Sequence, residues 1–291
     1  MRRFLYDILS YIPQSKNDDN LKVLAYHTVP SVFIFKSQIE YLIEHYNIIS
    51  IEELALALFE KKNLPENPLL ITFDDGDISV FENGYPVLEQ FKVPSAMFII
   101  TGLIDTQNTF WCRWVEKVFE QQGQSYSLAR KQVNYLKSVP EKERLEYLHS
   151  LPQVDSVQLT SPEIIQLSQS GMYIGNHTHT HPMINKCTPD QIKGEMYLAK
   201  KKFQEMGIPD NYEVFAYPNG NWEPQSENVL KEENIKMAFL FDHQLNKDIS
   251  KINPMRISRI RVNADDELSE FKVKVSGLHS KILNLRQNIG I

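Results

Sequence analysis

The sequence predicts an α/β fold in which a parallel sheet closes, or nearly closes, into a barrel. Seven or eight short apolar runs alternate with helical patterns along the chain, and this alternation is typical of βα units with parallel strands. Polar residues able to carry chemistry follow three of these runs. In a parallel barrel the carboxyl ends of the strands form one rim, where the site lies, so we expect the three segments to meet.

The strands and helix starts can be placed individually. Ser50 and Glu53 form a capping-box pattern, Thr160 precedes a helix with proline near its first position, and Thr188 starts another helix. A helical pattern also follows each of the first two runs, around Phe33–Ile43 and Val80–Phe91. The predicted strands are LKVLAY (21–26), LLITF (69–73), PSAMFII (94–100), MYIG (172–175), VFAY (214–217), MAFLF (237–241) and ISRIRV (257–262).

The domain organisation is predicted to be simple. Residues 1–20 contain apolar side chains spaced along one helical face and predict an amphipathic helix, and residues 21–291 form one catalytic-type domain. Residues 111–150 are rich in charge, Gln and Leu and predict two or three helices, which we interpret as an insertion or lid. The first helix is expected to pack on the domain or a partner, and weak association of residues 1–16 with a membrane surface is the alternative.

Composition narrows the classes of function. The net charge of -6 and the pI near 5.8 argue against a nucleic-acid binder. No run of about 18 apolar residues exists, so no membrane span is expected. Cys112 and Cys187 make no disulfide framework and are expected as free thiols. With no signal peptide recognisable at the start, these features predict a cytoplasmic protein.

Two adjacent carboxylates end one predicted strand. Asp74 and Asp75 follow LLITF directly and precede Gly76. Asp-Gly is a common turn signal, which is the structural alternative. Two neighbouring acids repel each other unless a cation or an arginine offsets their charge. The pair therefore predicts a metal ion or a guanidinium close by.

Three of the eight histidines lie close together after the strand MYIG. On a helical turn His177 and His181 would share a face and His179 would point away, whereas on an extended strand all three would share a face. Two histidines and one aspartate form a set with open positions that suits zinc or another first-row divalent ion in a hydrolytic site. A histidine-rich loop without a ligand is the alternative.

The other five histidines carry weaker signals. His27, in AYHTVP, lies at the end of the first strand and on the same predicted rim. His45 and His149 fall in helical patterns, and we interpret both as structural. His243 and His279 lie in the last third of the chain and are candidates for a functional role.

Taken together, these motifs resemble the polysaccharide deacetylases that share the NodB homology domain. TFDDG (72–76) is similar to the first motif of that family and HTHTH (177–181) to its H-[ST]-x-x-x-H second motif, in the same order. The resemblance covers roughly residues 21–265. The chain is similar to one branch of the family in four further segments, which are YHTVP (26–30), FWCRW (110–114), FAYPNG (215–220) and ISRIRV (257–262).

The resemblance implies a distorted barrel of about seven βα units and a metal-dependent hydrolase that removes N-acetyl groups from an amino sugar. The substrate would be an N-acetylated glycan or its precursor. By the same resemblance Asp75, His177 and His181 would ligate one divalent ion, with zinc expected, and Asp74 would be the catalytic base. The backbone N–H of Tyr217 would stabilise the oxyanion of the transition state.

The chain departs from the family pattern first at the arginine that opens the third motif. This arginine normally braces the catalytic aspartate, and here Phe215 or Ala216 takes its place. We expect Arg259 to supply the guanidinium to Asp74 instead, with Arg256 as the second choice.

The second departure concerns the general acid. The usual final motif, Leu-x-x-His, supplies a histidine that protonates the leaving amine, and no clear copy is present. An unprotonated amine leaves poorly, so another histidine is needed. His279, in SGLHS, is the expected acid and His243 the alternative.

Three functions are compatible with these observations. The first is a metal-dependent deacetylase of an N-acetylated sugar. The second keeps the metal and the barrel but hydrolyses a non-sugar amide, such as a cyclic imide, because one fold hosts several reactions. The third is a carbohydrate-binding protein with a decayed site, to which the missing final motif points. A binding protein has no need of a spare carboxylate beside a metal, and Asp74 therefore favours an enzyme.

Overall fold

Eight strands form one parallel sheet in the computed structural model, which describes residues 6, 7, 9, 20–280 and 282. Their order is β7-β6-β5-β4-β3-β1-β8, and β2 pairs with β3. The parallel alternation predicted from the sequence is confirmed. The strands are β1 (Lys22–Tyr26), β2 (Asn47–Ile48), β3 (Pro68–Phe73), β4 (Ser95–Ile99), β5 (Met172–Asn176), β6 (Val214–Ala216), β7 (Met237–Phe239) and β8 (Ile260–Arg261).

The sheet curls into a distorted barrel, and one short segment links its two edges. Ile257 forms a parallel bridge with Phe239 of β7, and three residues later Ile260 pairs with Leu24 of β1. The predicted strand ISRIRV is therefore only two residues long as a regular strand, because the chain changes partner within it. This change of partner places Arg259 between the two edges of the sheet.

The α-helices whose bounds lie within the described residues surround the sheet, and predicted helix starts open three of them. The predicted helix starts at Ser50, Thr160 and Thr188 are confirmed, and each of these residues forms a capping box. The predicted helix Val80–Phe91 begins with one wider π-type turn. The helices are α1 (Val32–His45), α2 (Ile51–Glu60), α3 (Tyr85–Phe91), α4 (Trp111–Gln121), α5 (Tyr126–Leu136), α6 (Glu141–His149), α7 (Ser161–Gln169), α8 (Pro189–Glu205), α9 (Pro224–Glu232) and α10 (Leu268–Val275).

Alternate strand residues fill two separate parts of the core, as the two faces of a pleated strand require. One face packs under the surrounding helices. The other face lies inside the curl, where the rings of Phe98 from β4 and Phe239 from β7 come within 5.3 Å although their strands are not neighbours. Helices α4 to α6 have a small core of their own around Trp111 and Val133. The predicted insertion is thus a compact three-helix unit attached to the barrel.

The predicted amphipathic helix of residues 1–20 lies largely outside the described residues. Tyr6, Asp7 and Leu9 are helical, and the division into residues 1–20 and 21–291 stays a prediction, as does contact with a membrane surface. Among the described residues, no helix combines the length and the apolarity needed to cross a bilayer. Cys112 and Cys187 are buried free thiols.

Candidate active site

The three segments that carry polar, potentially catalytic residues meet at the carboxyl ends of β3, β5 and β6, as the sequence predicts. They line one side of a cleft of about 1630 Å³. Asp74 and Asp75 follow β3, His177 and His181 follow β5, and the loop containing Asn219 follows β6. Helices α4 and α5 of the insertion form the opposite wall. The cleft is therefore shared between the barrel rim and the insertion.

Asp75, His177 and His181 form a group that could hold a metal ion, with all three ligand atoms within 4.8 Å of one another. The Oδ1 atom of Asp75 lies 3.4 Å from Nε2 of His177 and 3.6 Å from Nε2 of His181. Ligand atoms bound tetrahedrally to zinc at about 2.0–2.2 Å are about 3.3–3.6 Å apart. These side chains thus fit the dimensions of a zinc site.

The surroundings of His177 and His181 favour a neutral nitrogen that can bind a metal, in a different way for each residue. The Nδ1 atom of His177 lies 2.8 Å from the carbonyl oxygen of Ala216. A proton on Nδ1 can be donated to that carbonyl, which leaves the Nε2 lone pair facing Asp75. Burial and the neighbouring His177 lower the pKa of His181 to about 3, so His181 is neutral at physiological pH.

The charges of the site favour an ionised carboxylate at Asp75. Burial by itself would raise its pKa, but the surrounding imidazoles of His177, His181 and His27 hold the pKa of Asp75 below its usual range. Burial also acts to lower the pKa of His177, whereas Asp74 and Asp75 outweigh it and raise the pKa. The acid pair therefore attracts positive charge to this point, whether a proton or a metal ion.

The histidine loop is neither a helical turn nor an extended strand. β5 ends at Asn176, and both Thr178 (φ 68°) and His181 (φ 57°) adopt the left-handed conformation, which is uncommon for residues other than glycine. These two turns bring His181 back beside His177. His179 turns away, and its Nδ1 lies 3.0 Å from the hydroxyl of Thr101.

One carboxylate from helix α8 fixes the middle of this loop. The Oε2 atom of Glu195 accepts hydrogen bonds from the backbone N–H groups of His179 (2.9 Å) and Thr180 (2.7 Å). Its Oε1 atom accepts the hydroxyl of Thr180 at 2.7 Å. Charge-assisted hydrogen bonds of this kind are stronger than neutral ones. Glu195 was not predicted from the sequence, because it lies fourteen residues beyond the motif on a helix with no distinguishing pattern.

Asp74 is held by the guanidinium of Arg259, and the contact predicted from the sequence is present. Nη1 and Nη2 donate to the two carboxylate oxygens at 2.7 Å each, and both side chains are buried. Burial opposes ionisation of Asp74, but Arg259 outweighs it and lowers the pKa of the carboxyl. Arg256, the second choice, instead donates to Glu227 at 2.6 Å.

The structure places His279, the expected general acid, outside the cleft, and its role stays a prediction. His279 contacts the hydroxyl of Tyr6 at 3.0 Å and lines a second cavity of about 620 Å³, together with His243. Neither His243 nor His279 lines the cleft that contains Asp75. Both histidines follow β7 in the chain, and the sequence could not show that they line this second cavity instead of the cleft.

The backbone N–H of Tyr217, the expected oxyanion donor, already has a partner within the sheet. Its backbone N–H donates to the carbonyl oxygen of Phe239 at 3.0 Å, and its side chain is fully buried. Pairing between β6 and β7 extends one residue past the regular strand, and this N–H takes part in it as a hydrogen-bond donor. The donor is therefore unavailable to a substrate in the cleft.

His27 is the remaining histidine of the cleft among the described residues. It follows β1 and lines the cleft beside Asp74 and Asp75, and its ring packs edge-on against Phe241 at 5.4 Å. Burial lowers its pKa, against the pull of Asp75 and Asp74. The sequence signals for His27 were its position at the end of the first strand and the resemblance of YHTVP (26–30) to one branch of the family.

Two hydrogen bonds join the insertion to the rim. Trp111 donates its indole N–H to the carbonyl oxygen of His181 at 3.0 Å, and Lys137 donates to the side chain of Asn219 at 2.7 Å. The ring of Trp111 in turn packs against the buried guanidinium of Arg144 at 4.9 Å. The three helices are thus anchored to the histidine loop and to the loop after β6.

Comparison with known proteins agrees with this geometry. The chain is 23% identical over 288 residues to the poly-beta-1,6-N-acetyl-D-glucosamine N-deacetylase of Staphylococcus aureus (strain MRSA252), an alignment that covers 96% of this chain and 80% of that protein. In fold it is similar to IcaB from Ammonifex degensii (TM-score 0.63, 21% identity, 90% of this chain and 98% of that one). It is equally similar to the Streptococcus pyogenes deacetylase PplD in complex with acetate (TM-score 0.63, 18% identity, 88% and 98%).

A family profile shows to which family the chain belongs. The profile described as "Polysaccharide deacetylase" matches residues 61–238, more than half of the chain. The matched range includes the acid pair after β3 and the histidine loop after β5, and the resemblance drawn from these motifs is confirmed. The chain belongs to the polysaccharide deacetylase family.

Proposed function

We propose that this protein is a metal-dependent N-deacetylase that releases acetate from N-acetylated amino sugars of a glycan. The observation that carries the proposal is the group of Asp75, His177 and His181 next to the buried pair of Asp74 and Arg259. A binding protein has no use for a second carboxylate that is kept ionised beside a metal site. The family and its named relatives support the same reaction.

The residues divide into two roles. Asp75, His177 and His181 would hold the metal, which when bound supplies a Lewis acid that polarises the acetyl carbonyl and acidifies water. Asp74, kept ionised by Arg259, accepts the proton of the attacking water. His27 takes the role first assigned to His279 and delivers a proton to the departing amine nitrogen, because among the described residues it is the histidine of the cleft that lies outside the proposed ligand group.

Arg259 also fixes the orientation of Asp74, the proposed base. Its two hydrogen bonds hold both oxygens of Asp74, and its Nη1 donates further to the hydroxyl of Thr72 at 3.1 Å. A carboxylate held in this way keeps one orientation and stays deprotonated. The charge of Arg259 reduces the basicity of Asp74, and we expect this cost to be balanced by correct placement of the group.

The substrate proposed is a β-1,6-linked polymer of N-acetylglucosamine or a closely related glycan. It follows from the Staphylococcus aureus relative, whose name specifies that polymer and whose alignment spans 96% of this chain. The size of the cleft agrees, since about 1630 Å³ exceeds the roughly 300–1,000 Å³ of pockets for small ligands. The predicted cytoplasmic location stays a prediction.

Acetate release tests the proposal directly. Protein stripped with a chelator and reloaded with zinc is incubated with poly-N-acetylglucosamine, and acetate is measured with a coupled enzyme assay. We expect release only from the loaded protein, and loss of release on renewed chelation. No acetate from the loaded wild type, with the polymer still retained on it, would favour the decayed binder. Release from a cyclic imide but not from the glycan would favour the non-sugar hydrolase.

A further inference from the structure

The wall of the cleft opposite the metal group is formed by the insertion, and one side chain on it stands out. Tyr126, at the start of α5, lines the same cleft as Asp75 and His181, yet 65% of its surface is exposed. Within the described residues its hydroxyl has no hydrogen-bond partner. Large aromatic side chains are usually mostly buried, so an exposed ring inside a cleft requires an explanation.

Tyr126 belongs to one ordered face of α5. Tyr126, Ala129 and Arg130 all line the cleft, and their spacing of three and four residues places them on the same side of the helix. Ala129 is buried and anchors the helix. Arg130 is fixed by Glu116 of α4 at 2.8 Å. The backbone under Tyr126 is thus held in place while its ring remains free to contact a ligand.

The side chains on this face of α5 are of the types that can bind a sugar residue. A pyranose ring has an apolar face of C–H groups and a rim of hydroxyl groups, and a tyrosine ring offers an apolar face with a polar tip. An exposed tyrosine also loses little conformational entropy on binding, because it has two side-chain torsions. Arg130 beside it provides N–H donors for the hydroxyl or amide oxygens of the same residue.

We propose that Tyr126 and Arg130 form a subsite for a sugar residue of the glycan chain other than the residue being deacetylated. The substrate is then a chain with one residue at the metal group and another beside Tyr126 on α5, and a free monosaccharide or short precursor is a poor substrate. This inference rests on the proposed function, which it extends from the reaction to the length of the substrate.

The same helix provides a matched control. Tyr135 is also exposed, at 51%, but its hydroxyl is bonded to Glu143 and it does not line the cleft. Nine residues separate it from Tyr126, which corresponds to about half a turn around the helix. Tyr135→Ala therefore removes the same ring from the other side of α5.

The experiment compares kcat/KM for long poly-N-acetylglucosamine with kcat/KM for the trisaccharide. We expect the wild type to prefer the polymer, and Tyr126→Ala to reduce that preference about 3- to 10-fold, as the loss of one aromatic contact implies. Tyr126→Phe should retain most of the preference, and Tyr135→Ala all of it. Thermal unfolding of each variant confirms that the insertion is folded.

Two results would overturn the subsite. The wild type could treat both substrates alike, or Tyr126→Ala could leave the preference unchanged or lower it no more than Tyr135→Ala does. A wild type that releases no acetate from either substrate would instead refute the proposed function. The two failures are therefore distinguishable in one set of measurements.

Discussion

The rim of the barrel and helix α4 of the insertion hold charged pairs in opposite environments. On the rim, Asp74 and Arg259 are both buried and joined by two hydrogen bonds of 2.7 Å. On the insertion, Arg113 pairs with Glu116 at 3.0 Å while 57% of the Arg113 side chain is exposed. A buried pair that loses one partner leaves a desolvated charge, whereas an exposed pair contributes little. Changes at the rim should therefore alter the chemistry, and changes in the insertion should alter stability or substrate contact.

The largest effect is expected from the acid pair. Asp74→Asn should keep zinc binding but lose about 100- to 10,000-fold in turnover, because asparagine has nearly the same shape and cannot accept a proton. Asp75→Asn should weaken zinc binding itself, since it removes the charged ligand. Zinc titration and acetate release on both variants separate the roles. Equal loss of zinc in both would show that Asp74 is a ligand.

The next effect compares two histidines from the two cavities. His27→Asn should lower turnover by at least about 100-fold, the usual contribution of a general acid, while His279→Asn should leave turnover close to that of the wild type. The check is acetate release at saturating zinc. A strong loss in His279→Asn with no loss in His27→Asn would restore the assignment made from the sequence.

A third substitution tests what decides the loss of stability when a charged side chain is removed. We expect the burial of that side chain to decide it, and not its location in the rim or in the insertion. Arg144 lies in the insertion but is buried, with two hydrogen bonds to Glu141. Arg144→Leu leaves Glu141 unpaired and should lower the free energy of unfolding by about 3–5 kcal/mol. Lys142→Ala, on the same helix, loses only a 3.9 Å exposed pair and should unfold like the wild type in urea.

The fourth prediction concerns the carboxylate that holds the histidine loop. Glu195→Gln should weaken zinc binding about 10- to 100-fold, as is typical when a group that orients a ligand is changed. Glu205→Gln removes the same charge from the exposed end of α8, where its partner is Lys201 at 3.8 Å, and should bind zinc like the wild type. Competition with a chromophoric chelator measures both. Identical affinities would show that the loop keeps its shape without Glu195.

The smallest effect is the pH dependence of zinc binding. The pKa of His177 is raised by Asp74 and Asp75 against burial, so its proton competes with zinc as the pH falls through that raised pKa. His181, with a pKa of about 3, stays neutral throughout the same range. Affinity should thus fall about tenfold per pH unit, with one proton displaced per ion. Calorimetry in buffers of different ionisation enthalpy counts that proton, and a count of two would contradict the role of His181.

Local sequence determined much of the molecule. Capping residues fixed the starts of α2, α7 and α8, because they act on the next three residues only. Apolar runs predicted the strands, and the residues that follow β3 and β5 were expected at the rim because parallel strands share a direction. Even Arg259 was identified, since the position normally occupied by an arginine holds Phe215 or Ala216.

Tertiary structure decided which of several similar residues act together. HTHTH is compatible with two sets of ligands, and the left-handed turns at Thr178 and His181, fixed by Glu195 from a distant helix, bring His177 and His181 together and turn His179 aside. His27 and His279 lie 252 residues apart, and only the tertiary structure shows that His27 is the one that shares the cleft with the acid pair. Contacts between residues far apart in sequence leave no local pattern, because their geometry depends on the entire barrel.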